Sequence, residues 1–329
     1  MAGDPAMPLS EFDLIARYFR SAGPGRADVA LGVGDDCALL RVPPGSLLAV
    51  SIDTLVAGVH FPVDTAAADL GHKALAVNLS DLAAIGAEPA WATLALTLPE
   101  ADEAWLVQFS AAFQGLAARF GVELVGGDTT RGPLSITVQA HGFVPEAGAL
   151  RRAGARPGDL IYVTGELGDA GLALLALQQE LQLPAADRVA VLQRLYRPAP
   201  RIAAGIALRA VASAAIDVSD GLAADLGHIL AASGVGATLQ VERLPISPVL
   251  ARHFHAAGGW VLPLGAGDDY ELCFTVPAVH QGLAEQALEA AGCPCTWIGL
   301  VEARPGLRCL LDDGTDLGLA GAGYQHFGG

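Results

Sequence analysis

Six times along this chain an aspartate stands beside glycine, serine or a second acid at the edge of an apolar run. The segments are Gly34-Asp35-Asp36, Ser51-Ile52-Asp53, Asn78-Leu79-Ser80-Asp81, Gly126-Gly127-Asp128, Asp217-Val218-Ser219-Asp220-Gly221 and Gly267-Asp268-Asp269. Burying an unpaired carboxylate is prohibitively costly. Apolar runs such as residues 74–77 and 94–98 lie near several of the segments, so many of these carboxylates are expected at strand ends or helix starts. Carboxylates gathered there repel one another unless cations hold them together, and hard cations with oxygen ligands do so. Magnesium in such sites takes a few carboxylates plus substrate phosphates. The pattern points to several Mg2+ ions and to phosphate chemistry.

The rest of the composition narrows the chemistry. With 329 residues, 52% hydrophobic and 16% charged, the chain has room for two ordinary domains and a large core. Nineteen basic residues against 35 acidic ones leave a net charge of −16, which argues against a nucleic-acid partner. Scattered acids of this kind also serve solubility alone. Lys73 is the only lysine, and its setting, Leu70-Gly71-His72-Lys73-Ala74, fits neither a P-loop nor a protein-kinase strand lysine. Phosphate handling then falls to metals and arginines. The five cysteines (Cys37, Cys273, Cys293, Cys295, Cys309) are odd in number and lack zinc or Cys-x-x-Cys spacing, so they read as free thiols. Residues 1–20 lack the basic start and apolar stretch of a signal peptide. The longest apolar region, residues 74–98, is interrupted by Asn78, Asp81, Glu88 and Pro89 and is not expected to span a membrane. The expected home is a reducing cytoplasm.

Hydrophobic spacing predicts a helix over 11–19 with Ser10 as N-cap, strands over 29–33, 38–42 and 47–54, and a Pro43-Pro44-Gly45 turn. A helix over 69–85 ends at Gly86, and a strand follows over 91–98. Leu106, Phe109, Phe113, Leu116 and Phe120 recur at helical spacing. Strand 122–125 then delivers residues 126–132, which resemble a phosphate loop with an acid and an arginine built in. After strand 134–144, the glycine-, proline- and arginine-rich stretch 145–158 marks a boundary, giving domains over 1–148 and 149–329. The second half continues with strands at 160–164, 214–218, 237–242, 270–276, 295–302 and 307–311, interleaved with helices. Such alternation argues an α/β fold in two domains. Gly-x-Gly-Asp-Asp occurs twice, at 32–36 and 265–269, too short a match to establish a repeat.

Each acidic segment has a plain reading beside the chemical one. Residues 32–36 make a good turn, and a good cation site. Asp81 falls within a predicted helix among Leu75, Leu79, Leu82 and Ile85, where it either pairs with a base such as Lys73 or holds a metal. Asp217–Gly221 sits at a strand end before a helix, a place that favours ligands and phosphate. Capping explains Ser219 and Asp220 equally well, but not Asp217. His60 is a lone histidine of the kind that is more often structural than functional, and no Ser-His-Asp, Cys-His or zinc spacing stands out. Phosphoryl transfer needs no activated protein nucleophile, because positioning and electrostatics supply the catalysis.

Taken in order, residues 34–38, 53–61, 73–84, 126–130 and 217–221, with Asp269-Tyr270-Glu271-Leu272, resemble the thiamine-monophosphate kinase family. That family lies in the wider aminoimidazole-ribonucleotide synthetase superfamily, and the resemblance runs from about Ser10 to Phe327. It implies an N-terminal α/β domain that dimerises through its sheet, a C-terminal α/β domain, and ATP and thiamine phosphate bound between them with several Mg2+ ions. By position, Asp36, Ser51, Asp53, Asp81, Asp128, Asp217 and Asp220 would hold magnesium, with Ile52 adding a backbone oxygen. Gly127, Asp128, Arg152 and Ser219 would contact ATP; His60, Asp268 and Tyr324 would contact thiamine phosphate. The cationic thiazolium would find an acidic site, with Tyr324 or Trp297 as an aromatic neighbour. Ile52 replaces a hydroxyl residue and Asp268 a glutamate common in the family. Two rivals remain: another synthetase of the superfamily, ring-closing or selenophosphate-forming, and a magnesium-nucleotide sensor without turnover. The selenophosphate enzyme usually needs a reactive cysteine near its N-terminus, whereas the first cysteine here, Cys37, lies inside an acid motif.

Overall fold

The computed structural model describes residues 11–19, 25–318 and 323. The chain divides into two compact units, Met1–Asn78 with Pro89–Phe143, and Leu79–Glu88 with Val144–Gly329. Among the described residues, no helix is long and apolar enough to cross a membrane.

The first unit contains α1 (Glu11–Tyr18), β1 (Val29–Leu31), β2 (Leu39–Leu40), β3 (Ser46–Val56), most of α2 (Ala67–Ala84), β4 (Glu88–Leu98), α3 (Glu103–Arg119), β5 (Glu123–Arg131) and β6 (Ser135–Pro145). β1 and β2 pair antiparallel, and the main sheet has the order β3-β6-β4-β5, with β4 and β5 parallel. Asp102 caps α3 by accepting the N–H groups of Ala104 and Trp105. The predicted apolar stripe of this helix buries Leu106, Phe109, Phe113 and Leu116, while Phe120 lies past its end and is only half-buried. A Cβ on Gly71 would come within 2.2 Å of the Phe109 carbonyl oxygen, so α2 and α3 touch backbone to backbone there. That contact explains why a glycine is tolerated inside a helix, where it ordinarily costs about 1 kcal/mol.

The second unit takes the last turns of α2 and then β7 (Leu160–Thr164), α4 (Asp169–Leu177), α5 (Ala185–Tyr196), α6 (Ile202–Leu208), β8 (Ala214–Asp217), α7 (Leu222–Ser233), β9 (Gly236–Gln240), α8 (Pro248–His253), α9 (Val261–Gly265), β10 (Leu272–Val276), α10 (Gln281–Ala290), β11 (Cys295–Glu302) and β12 (Gly306–Leu310). Its sheet runs β12-β9-β11-β7-β10-β8. Helices alternate with strands as expected, yet only β12 and β9 pair in parallel. The reason is topological: β10 inserts between β7 and β8 and runs against both. Leu222, Leu226 and Ile229 of α7 join Ile161, Val163, Ile216 and Cys273 of the sheet in one core. Burying each such aliphatic side chain contributes about 1.5–3 kcal/mol. This core fixes β8 and the start of α7, and hence the loop between them.

Candidate active site

In the first unit a pocket of about 670 Å³ opens between residues 33–38 and the middle of β5, with Phe19 and Ile15 at one side. Gly34 has φ +123°, a value that suits glycine, and turns Asp35 and Asp36 out to solvent. Asp35 Oδ1 accepts the Asp36 N–H at 2.8 Å, so the first acid shapes the turn that presents the second. Asp128 is exposed on the same pocket wall.

The expected phosphate loop at residues 126–132 is corrected by the structure. Gly126 to Arg131 continue β5 as a strand, registered in parallel against Thr93 to Leu98. A register shift separates the pairs Leu124–Ala92 and Gly126–Thr93, leaving Val125 as the extra residue of a bulge. A Cβ on Gly127 would sit 2.0 Å from the Leu94 carbonyl oxygen, so only glycine fits the close approach to β4. β5 is an edge strand, and its residues 124–129 line the pocket.

Ser51, Ile52 and Asp53 lie on β3, the opposite edge of that sheet. Three inter-strand steps of about 4.8 Å put β3 roughly 14 Å from β5. Within one copy of the chain the sheet therefore does not place Asp53 beside Asp128. Ser51 and Asp53 are half-buried, whereas Ile52 is 61% exposed. His60 follows β3 in a turn, and its Nδ1 accepts the Val56 N–H at 3.0 Å. In the neutral ring the proton then sits on Nε2.

In the second unit Asp217 ends β8 and is buried. Its Oδ2 accepts the Ser80 hydroxyl at 2.7 Å, so the end of α2 brings Asp81, half-buried, next to a residue bonded to Asp217. The loop after β8 is not capped by Ser219 or Asp220. Instead Asp225, from the first turn of α7, accepts the N–H groups of Ser219, Asp220 and Gly221 at 3.0, 3.0 and 3.1 Å, all on Oδ2. The amides of residues 219–221, just ahead of the helix, are thus filled from within. Burial above all pushes the Asp225 carboxyl up to about 7; the Asp220 charge adds to this and the three N–H bonds oppose it.

A second strip docks on that loop. The Asp268 N–H donates to the Ser219 carbonyl and the Tyr270 N–H to the Val218 carbonyl, both at 2.8 Å. Gly267 passes so close that a Cβ would lie 2.2 Å from Ser219 O. Asp268 and Tyr270 hold φ of +68° and +51°, sparse territory for residues with side chains. Between them Asp269 is buried and accepts the Gly168 N–H with both oxygens, at 3.1 and 2.9 Å. Burial holds its carboxyl well above the usual range. Glu271, also buried, takes two bonds of 2.6 Å from Arg201, one of 3.1 Å from Arg194 and one of 2.7 Å from the Thr164 hydroxyl. A Cβ on Gly165 would fall 2.1 Å from Glu271 Oε1, so this carboxylate requires glycine there. Asp225 and the Glu271 network escaped the sequence reading. The one signal available was an acid in the first turn of α7, which reads only as a favourable charge near a helix start.

Two further residues stand apart. Arg152 is exposed, and its carbonyl accepts the Ser233 hydroxyl at 3.4 Å. The Trp297 ring already carries a cation, the Arg243 guanidinium at 4.4 Å, and lines a separate hollow with Tyr162 and Cys295. Tyr324 lies outside the described residues. Among the described residues no three His, Cys, Asp or Glu side chains form a ready metal cage. The donors present are nonetheless all oxygens, Asp36 with Asp128 in one unit and Asp217 with Asp220 in the other. Their chemistry fits Mg2+, which takes only one or two carboxylates and completes its shell with water and phosphates.

Comparison with known proteins places this architecture in a class. Residues 34–144 match the AIR synthase related protein, N-terminal domain, and residues 156–312 match its C-terminal domain. A thiamine-monophosphate kinase of Escherichia coli (strain K12) is 52% identical over 98% of this chain and 99% of its own. The crystal structure of thiamine-monophosphate kinase from Stenotrophomonas maltophilia K279a superposes with a TM-score of 0.85 at 48% identity, covering 92% of this chain and 96% of that one. AaThiL complexed with AMPPCP and TMP gives 0.76 at 30%, covering 87% and 89%. The chain belongs to the thiamine-monophosphate kinase family.

Proposed function

We propose that the chain transfers the γ-phosphoryl group of ATP to thiamine phosphate, giving thiamine diphosphate and ADP. The observation that carries this is likeness over nearly the full length to kinases of that name, one of them holding an ATP analogue and TMP. A phosphate oxygen of thiamine phosphate attacks the γ-phosphorus in line; that O–P bond forms as the bond to the β-bridging oxygen breaks. The attacking oxygen is already an anion near neutral pH, so no side chain need act as base or nucleophile.

The chain's own residues bind and orient. Gly127, Asp128, Arg152 and Ser219 contact ATP, and His60, Asp268 and Tyr324 contact thiamine phosphate. Asp36, Ser51, the Ile52 backbone, Asp53, Asp81, Asp128, Asp217 and Asp220 would hold the magnesium ions. Bound magnesium supplies charge that offsets repulsion between two anionic reactants. Ser80 steadies Asp217 and Asp225 steadies the Ser219–Gly221 backbone, so both orient ligands without touching substrate. Metal and ATP binding and dimerisation are allotted to residues 1–148, and completion of the site to 149–329. Support for a homodimer is a row of exposed apolar residues, Leu48, Val50 and Ile52, along the edge strand β3. Five free thiols fit a reducing cytoplasm.

Purified protein with ATP, thiamine phosphate and MgCl2 tests the reading. Equal yields of ADP and thiamine diphosphate support it. ADP without thiamine diphosphate would favour another synthetase, and neither product a nucleotide sensor.

A further inference from the structure

The strip over residues 267–271 is built with more strain than a connecting segment needs. Two residues with side chains hold left-handed backbone conformations two positions apart. Each such conformation is unfavourable for a residue with a side chain, and it persists only where its surroundings over-determine it. Here they do. The backbone is tied to Val218 and Ser219, and the side chains of Asp269 and Glu271 are anchored to Gly168 and to two arginines. What the strain achieves is specific: it brings the side chains of residues i and i+2 together, and the Tyr270 hydroxyl donates to Asp268 Oδ1 at 3.1 Å. Both residues are half-buried, and both hang from the loop that carries Asp217 and Asp220.

We infer that Tyr270 is a positioning residue for substrate recognition, aiming the Asp268 carboxylate at the cationic ring end of the substrate. This rests on thiamine phosphate being the substrate. A carboxylate repels the phosphate end, so the part of the molecule that Asp268 can attract is the thiazolium or an amino N–H donor. Asp268 is short, and its reach is fixed mainly by backbone direction and by whatever holds its carboxylate plane. Tyr270 supplies that hold. It acts through Asp268 on affinity for this substrate and leaves ATP binding and the chemical step alone.

Three variants test the inference: Tyr270→Phe, which removes one hydroxyl, Asp268→Asn, and the double variant. Initial rates with each substrate varied, and calorimetric binding of thiamine phosphate and of a non-hydrolysable ATP analogue, are the readouts. Tyr270→Phe is expected to raise KM and Kd for thiamine phosphate roughly 10- to 150-fold, the range of one lost hydrogen bond to a charged group. KM for ATP and kcat should stay within about twofold. The double variant should be no worse than Asp268→Asn, because the hydroxyl acts on this substrate through that carboxylate. Unchanged thiamine phosphate binding in Tyr270→Phe, a loss confined to kcat, or additive effects in the double variant would each overturn the inference. A Tyr270→Phe chain that melts early is judged by the binding cycle below its melting temperature, where additivity again overturns it. An inactive wild-type chain would instead count against the substrate assignment.

Discussion

Glu271→Gln removes one charge from the most enclosed ionic cluster among the described residues of the second unit. The wild-type carboxylate is 2% exposed and receives four bonds, two of them a bidentate pair from Arg201. Deleting one partner of a buried pair costs about 3–5 kcal/mol, because the other charge is left uncompensated. The two arginines differ in how much they suffer. Arg194 is 32% exposed and can turn to water, whereas Arg201, at 19%, is the charge that is stranded. The lower part of the range, about 3 kcal/mol, therefore applies. For units of this size that loss lowers the melting temperature by roughly 6–12 °C. Scanning calorimetry of the full chain at pH 7.5 is the assay, with the transition of the second unit followed separately if two appear. Replacing Glu271, Arg194 and Arg201 together by apolar residues of similar volume should recover most of the loss, since such clusters add little net stability over good packing. A shift under about 2 °C in Glu271→Gln would refute this, since a stranded buried charge could not cost so little.

Asp81→Asn and Asp217→Asn should each lower turnover by at least about 100-fold with the melting temperature retained, and near-normal rates in both would remove the metal assignment. Ser80→Ala, which takes away only the hydroxyl on Asp217, should cost about 10-fold in apparent magnesium affinity by titration. Gly127→Ala must push β5 off the Leu94 carbonyl, so binding of an ATP analogue should fall by more than about 10-fold in fluorescence titration. His141 is packed against Trp91, and burial holds its pKa below the ordinary value. Above the unfolded pKa both states are neutral and His141 adds no pH dependence; below it only the unfolded chain takes up the proton. Stability should therefore fall as the pH drops below about 6.5, and His141→Gln should flatten that limb of a melting-temperature profile. Exposed Cys37 should react with a thiol reagent within minutes, while Cys273, buried and with its pKa pushed up, should react only on unfolding.

The elements were legible wherever one periodicity spoke alone. The α3 stripe of Leu106, Phe109, Phe113 and Leu116 and the apolar run of β8 both sit where spacing put them. Two kinds of information were not. The strand character of residues 126–131 is imposed by pairing with β4, while a Gly-Gly-Asp run read locally favours a turn. The sheet order of the second unit likewise depends on where β10 inserts, which no local pattern encodes. For the candidate site, the acids themselves were visible because carboxylates are conspicuous beside apolar runs. Their supports were not: Ser80 lies 137 residues from Asp217, and the Arg201 partner of Glu271 lies 70 away. Asp225 is close to its loop, yet an acid early in a helix has too many ordinary explanations to single it out.

The carboxylate of Asp225 also decides what that loop can accept. Three consecutive amides that would otherwise welcome a sulfate or a free phosphate are already bonded to the protein's own carboxyl group. A bare oxyanion approaching this loop meets the Asp217 and Asp220 carboxylates and finds the amides of residues 219–221 already bonded. The loop favours an anion that arrives with its own counter-charge. The loop thereby filters by partnership: inorganic phosphate in the surrounding solution should compete poorly here with a metal-escorted nucleotide, and high phosphate should leave the protein's nucleotide affinity nearly untouched.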